Sequence, residues 1–243
     1  MDVYQAGVEN QSLLYAYIAR EALGLPGGRE AVREAVRVYG NERGARMAQR
    51  ALQDGLPLNA ENFLLYGEWF HPESQMVLEG CEPEVHLQNR SCPWFEAWKA
   101  EGMLAQGRHY CEVVDAALAD GFSPGMVMET VAYQSDPNSD TCDFIFRGQS
   151  MDTQAQERLT RNKQLLAMDA KKDWNFHTYH LLASFRRTLG EILGVHVEAG
   201  ITKRALESYE ARFGRDALEH LQQLRAPSYL QTEDYAGTRG LEI

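Results

Sequence analysis

Residues 109–115 read "HYCEVVD" and set a thiol and a carboxylate four positions apart. On one continuous helix through the following "AALADGF", Cys111, Val114, Asp115 and Leu118 share a face, because positions i, i+3, i+4 and i+7 stack. An acid on an otherwise apolar face is either a satisfied structural carboxylate or a working group beside the thiol. A carboxylate buried alone costs several kcal/mol, so Asp115 is expected to have a partner. A histidine from the C-terminal half is the favoured one.

That half offers two candidates. "DWNFHTYHLL" places His177 and His180 one helical turn apart, able to bind a metal or to act as a base and its helper. Trp174, Phe176 and Tyr179 would give them an apolar surround. In the plainer reading, Trp174 and Phe176 anchor the helix start and the histidines satisfy nearby backbone groups. Cys92 precedes Pro93, a favourable first helical residue, so its sulfur would sit near a helix N-terminus where thiolate is stabilised. Cys142 alternates with Phe144 and Phe146 on one strand face, which is core unless that face lines a pocket. The ordinary fate of any single cysteine is burial as a small hydrophobe. "YGEWFHPE" collects Glu68, Trp69 and His71 as pocket wall or as a plain helix end. Arg43, Arg46 and Arg50 fall on one helix face and could dock a carboxylate; a solvated basic face is the default. The catalytic candidates are therefore Cys111, Asp115, His177 and His180. The substrate-contact candidates are Arg43, Glu68, Trp69, Cys92, Cys142, Trp174 and Tyr179.

Charge and composition narrow the chemistry. The formal net charge of −11 over 243 residues argues against a nucleic-acid partner, which normally meets a basic stripe. It does not oppose a small anionic substrate, since one local arginine outweighs a diffuse field at contact distance. With 44% apolar and 24% charged residues the composition is globular. No apolar run reaches the roughly 20 residues a membrane span needs. "MDVYQAGVENQ" lacks the basic and apolar regions of a signal peptide, so a cytoplasmic setting with reduced thiols is expected. The four cysteines form no C-x-x-C pair. No cofactor is expected on that basis; the alternative is a zinc site assembled in space from Cys92, Cys111, Cys142, His177 and His180. Glycine-rich phosphate loops, a G-x-S-x-G elbow and dinucleotide fingerprints do not occur.

The elements that must position these residues follow from periodicity. "NQSLLYAYIAREALGL" reads as an amphipathic helix that stops at Pro26-Gly27-Gly28. A long helix then carries Val32, Val36, Tyr39, Met47, Ala51 and Leu52 as its buried stripe, with Gly55 past its end. Gly40 and Gly44 inside it imply close packing or a break. Asn59 is a fair N-cap for "AENFLLYGEWF". Two short strands, "SQMVLEG" and "EVHLQNR", precede the helices "CPWFEAWKAEG" and "RHYCEVVDAALADG". "GMVMETVAYQ" and "TCDFIFRG" make the clearest hairpin, joined by "SDPNSD". From Thr153 onward the chain reads helical, with an irregular tail after Pro227. This order predicts an α+β fold, a small antiparallel sheet from two hairpins wrapped by N- and C-terminal helices. Residues 1–150 form its core and residues 151–243 a helical extension packed on the same body. A helix-rich surface of this kind could also carry a homodimer interface.

"YGNERGARMAQRALQDG", "SCPWFEAWKAEG", "HYCEVVDAALADGFSP" and "DTCDFIF", in that order, resemble the L-2-amino-thiazoline-4-carboxylic acid hydrolase family. The pattern Y-C-x-x-x-D followed by glycine-phenylalanine is the most specific element, and "FHTYHLLASFRRTLGEILG" and "YEARFG" also look like segments of such proteins. The resemblance implies ring-opening hydrolysis of a cyclic isothiourea-like C=N system to an N-carbamoyl product, on a small heterocyclic amino-acid-like substrate. That chemistry needs a nucleophile (water or a thiolate), an acid for the departing sulfur or nitrogen, and a cation for the substrate carboxylate. Two other readings stay open: a zinc-dependent hydrolase, cyclase or lyase on a related heterocycle, and a non-catalytic binding module. For the last, the order of helices and hairpins also resembles small-molecule sensor domains of the four-vinyl-reductase type.

Overall fold

A computed structural model describes residues 4–136, 138–224, 235, 237–238 and 240–242. Helix accounts for 60% of the structure, and the strands form one small antiparallel sheet, the α+β class expected. The elements are α1 (Val8–Leu23), α2 (Gly28–Gln53), α3 (Ala60–Leu65), β1 (Met76–Gly80), β2 (Val85–Asn89), α4 (Pro93–Ala100), α5 (Leu104–Cys111), α6 (Val114–Phe122), β3 (Val127–Ala132), β4 (Cys142–Arg147), α7 (Thr153–Leu166), α8 (Trp174–Leu193), α9 (Val195–Phe213) and α10 (Arg215–Gln223). Contacts divide the chain into two compact units of interleaved segments. The first is Met1–Tyr39, Pro93–Val114 and Asp173–Pro227; the second is Gly40–Cys92, Asp115–Lys172 and Ser228–Ile243.

The first unit is built around α1, which packs on α4, α5, α8 and α9. Leu13, Leu14, Tyr15, Ile18 and Ala19 are buried, and so are the polar Asn10, Gln11 and Ser12. A helix enclosed on most sides must satisfy such groups internally. Asn10 donates to the hydroxyls of Tyr4 and Tyr209 at 2.8 and 2.9 Å. On α8, His177, His180, Leu181, Ser184, Phe185, Thr188 and Leu189 are buried, a 3.6-residue stripe that sets both histidines inward. Asp173 caps this helix by accepting from the Phe176 N–H at 2.7 Å.

One expectation fails here. "RHYCEVVDAALADG" is not one helix: α5 closes at Cys111 and α6 opens at Val114. The Val113 N–H turns to Tyr110 O at 3.1 Å, an i to i−3 bond that tightens the last turn. Val113-Val114 is a β-branched pair that resists helix, and Glu112 is drawn to Arg108 and Arg33, each at 3.0 Å. The continuous helix that would stack Cys111 on Asp115 is not formed.

The second unit holds the sheet, in order β1-β2-β4-β3. Both expected hairpins are present, and β2 pairs with β4 from Val85↔Phe146 to Asn89↔Cys142. Alternation buries Val85, Leu87, Met128, Cys142, Phe144 and Phe146 on one face. Phe63 of α3 meets Phe146 and Phe122 edge-on, with ring centroids 5.2 and 5.6 Å away. Each such side chain contributes about 1.5–3 kcal/mol on burial. Asn59 caps α3 by accepting from Asn62 N at 3.0 Å, as its sequence position implied, although α3 ends at Leu65 and does not continue through Trp69.

The long helix α2 is unbroken. Its glycine at position 44 permits close packing: a Cβ there would stand 2.1 Å from the Leu118 carbonyl oxygen, and one on Gly121 of α6 would stand 2.4 Å from Asn41 O. The two helices cross backbone to backbone at this glycine pair. Leu52, expected on the buried stripe, is 60% exposed, while the adjacent Ala51 is fully buried. The tail after Pro227, expected to be irregular, lies mostly outside the described residues. Among the described residues, no helix is long and apolar enough to cross a membrane.

Gly44→Ala is expected to destabilise the protein by about 2–3 kcal/mol, because backbone rather than a flexible side-chain tip must yield. Gly200→Ala on α9, whose nearest neighbour is the Arg204 side chain at 3.5 Å, should be neutral or stabilising. Urea denaturation of both variants checks this; equal small effects would contradict the close crossing.

Candidate functional site

The arginines of α2 determine what the second unit can do. Arg43, Arg46 and Arg50 sit at spacings of three and four, and lie 4%, 0% and 1% exposed beside the buried Met47 and Ala51. They are not the solvated face that their exposure-prone type suggests. Their common target is Glu68, itself fully buried in the segment after α3. Arg46 grips it with two parallel bonds, Nε to Oε1 and Nη2 to Oε2, both 2.6 Å. Arg50 Nη1 donates to Glu68 Oε1 at 3.3 Å and to Ala170 O at 2.6 Å. Arg43 Nε stands 3.8 Å from Glu68 Oε2, within ion-pair range.

The backbone of residues 67–68 is held as well. The Lys172 N–H donates to Glu68 O at 2.7 Å, and Lys171 Nζ donates to Gly67 O. Desolvation lowers Lys171 to about 8, with Lys163 and Arg50 adding to the effect and Glu68 opposing it. Cationic groups thus concentrate around one carboxylate in a poorly hydrated interior.

Asp115 opens α6 beside this group. Part of its surface is open, yet the carboxyl is embedded deeply enough that desolvation pushes its pKa up to about 6. The Arg43 guanidinium opposes that rise. Near neutrality such a carboxyl can both take and give a proton. Cys142 lies in the same field. Burial, with Asp115, Asp143 and Asp136 adding to it, drives its thiol to about 11, against a Gln134 N–H that donates to Sγ at 3.2 Å. Its thiolate is scarce at neutral pH, which weakens Cys142 as a nucleophile.

The first unit holds the imidazoles. His177 and His180 are 1% and 0% exposed. Trp174 and Phe176 flank His177 at ring separations of 5.4 and 5.9 Å, and Phe176 and Tyr39 flank His180 at 5.8 and 4.8 Å. Gln11 ties this aromatic layer together, accepting from Trp94 Nε1 at 2.5 Å and donating to the Tyr39 hydroxyl at 3.3 Å. Cys111, half-buried at the end of α5, is close enough to Tyr15 that its charge adds to the burial that raises that phenol's pKa.

Of the sequence-derived candidates, the second unit therefore gathers Arg43, Glu68, Asp115 and Cys142. It also contains Trp69, half-buried beside Glu68 in sequence, and Cys92, buried directly ahead of α4. The first unit contains Cys111, Trp174, His177, Tyr179 and His180, with Trp174 and Tyr179 half-buried. Among the described residues, no three histidine, cysteine, aspartate or glutamate side chains gather as a metal site requires. The five residues of the zinc alternative are not such a group. Lys171 and Gln11 escaped notice, since nothing in their local spacing distinguishes them, and Tyr39 was legible only as a member of the buried stripe of α2.

A family model matches this chain over residues 5–146, more than half its length: that of the L-2-amino-thiazoline-4-carboxylic acid hydrolase. No curated protein and no solved structure matches it.

Because folded Asp115 keeps its proton to higher pH than an aspartate with the ordinary value of 3.8, the folded state binds more protons between about pH 4 and 6. Stability contributed at this group therefore falls as pH rises through that window. A carbon-13 titration of the Asp115 carboxyl should show a midpoint near 6, moving upward in Arg43→Gln because the opposing cation is gone. An unchanged or lower midpoint in that variant would contradict the pairing.

Proposed function

The chain belongs to the L-2-amino-thiazoline-4-carboxylic acid hydrolase family, and on that premise we propose that it opens the ring of a small cyclic amidine or isothiourea that bears a carboxylate. The observation that carries this reading is Asp115, poised near neutrality, beside the Arg43 cation in one unit. The family's named substrate has a carboxylate and an electrophilic C=N carbon. In this reading the arginine face of α2, through Arg43, takes the carboxylate.

As a carboxylate, Asp115 accepts a proton from a water that attacks the C2 carbon. The C=N electron pair moves onto the ring nitrogen, which takes that proton from Asp115. The hydroxyl of the tetrahedral adduct then yields its remaining proton to Asp115 as the C=O forms and the C–S bond breaks, and Asp115 passes it to the departing sulfur. One water is consumed, and an N-carbamoyl thiol acid is formed. An acid–base group titrating near the working pH suits both transfers, and such groups contribute typically about 10²–10⁴-fold. Glu68 touches no reacting atom in this scheme; it holds Arg46 and Arg50 in place. Cys111, His177 and His180 remain catalytic candidates from the sequence, and their variants decide whether a thiolate replaces water.

The test is thiol release from L-2-amino-thiazoline-4-carboxylate, followed with a thiol-reactive chromophore. Turnover by the wild type, lost by about 10²-fold or more in Asp115→Asn with an unchanged melting temperature, supports the scheme. Cys111→Ser should keep turnover if water attacks. Loss in that variant at intact stability would make Cys111 the nucleophile instead. His177→Ala and His180→Ala are expected to differ in their effect on turnover. A wild-type protein that releases no thiol sinks the hydrolase reading.

A further inference from the structure

The described part of the C-terminal tail docks on the second unit at two points. At the first, one end of α2 holds Tyr235 three ways. Gln53 Nε2 donates to Tyr235 O at 2.9 Å, the Tyr235 hydroxyl donates to Asp54, and the ring lies 5.6 Å from Cζ of Arg50. Thr238 N donates to the other Asp54 oxygen at 2.9 Å, and the Tyr66 hydroxyl donates to Asp54 at 2.5 Å. Tyr66 also meets the Tyr235 ring edge-on. Burial and the Asp54 carboxylate raise both phenols, so they stay protonated donors at neutral pH. At the second point, Glu242 accepts from Arg161 at 2.9 and 2.8 Å, and its backbone N–H and C=O both engage the Asn162 side chain at 2.9 Å.

The first anchor matters because of where Arg50 leads. Its guanidinium bonds Glu68 and the Ala170 carbonyl through Nη1, and the ring of Tyr235 stands against the same group. Glu68 in turn orders Arg46 and stands 3.8 Å from Arg43. A cation over an aromatic face is held more firmly in a desolvated setting than in water. Here that ring comes from a segment far along the chain, and the carboxylate that fixes it, Asp54, lies one helical turn beyond Arg50.

We propose that Tyr235 is a positioning residue: clamped on the end of α2, it sets the Arg50 guanidinium and, through Glu68, the anion affinity of the arginine face. The inference rests on the carboxylate subsite proposed above. It adds a specific link from the tail to that subsite. The second anchor, at Glu242, tethers the segment without touching an arginine of α2.

The experiment measures binding of thiazolidine-4-carboxylate by calorimetry. This ring acid has the carboxylate but no C=N bond to open, so binding is read without turnover. Tyr235→Leu should weaken its Kd by about tenfold, whereas Tyr235→Phe, which keeps the ring over Arg50, should stay within about twofold. Glu242→Ala should also leave Kd unchanged, although it lowers the melting temperature. Should Tyr235→Leu not fold, Tyr235→Met takes its place, with the same loss expected. Wild-type affinity in the Leu or the Met variant overturns the proposal, as does an absence of binding by the wild type. Tyr235-dependent binding in a protein that releases no thiol from the thiazoline would sink the hydrolase reading alone.

Discussion

A carboxylate with no exposed surface draws three guanidinium groups of one helix toward itself, and the second unit is arranged around that fact. Glu68 could not be buried unpaired: removing one partner of a buried ion pair typically costs about 3–5 kcal/mol. The two-pronged grip of Arg46 and the single bond of Arg50 meet that requirement. In return, α2 must present its arginine-bearing face to the interior. The close approach at Gly44 and Gly121 brings α6, and with it Asp115, against the same helix.

Electrostatics then divides the ionisable groups into distinct states. Desolvation brings Lys171 down toward neutrality and Asp115 up toward it, whereas Cys142 is driven away from its reactive form. One low-polarity interior acts on an acid, a base and a thiol in opposite senses, since it penalises whichever form is charged. For the reaction we propose, that contrast favours proton transfer by Asp115 over attack by the Cys142 sulfur. The imidazoles of the first unit occupy a different setting, an aromatic layer joined by the Gln11 amide.

Much of this was legible in the residues. Alternation in "TCDFIFRG" fixed the inward face of β4, and the stripe in "FHTYHLLASFRRTL" placed both histidines in the interior. The i, i+3, i+7 spacing of Arg43, Arg46 and Arg50 put them on one face, and the neighbouring Met47 and Ala51 signalled that this face is the buried one. The weight given to arginine's usual exposure obscured that signal. The break at Glu112–Val113 was hidden because helical periodicity runs smoothly through it; a β-branched pair and an acid drawn outward by two arginines decide it. The Tyr235 clamp joins positions 181 residues apart, a separation that no local pattern encodes.

The most direct test of this account is the stability of Glu68→Gln, measured by urea denaturation at pH 7. The amide keeps the shape of the side chain and removes its charge, leaving Arg43, Arg46 and Arg50 around a neutral group. The account requires a loss of about 3–5 kcal/mol. A change below about 1 kcal/mol, the range of an exposed ion pair, would mean that the arginine face does not depend on Glu68.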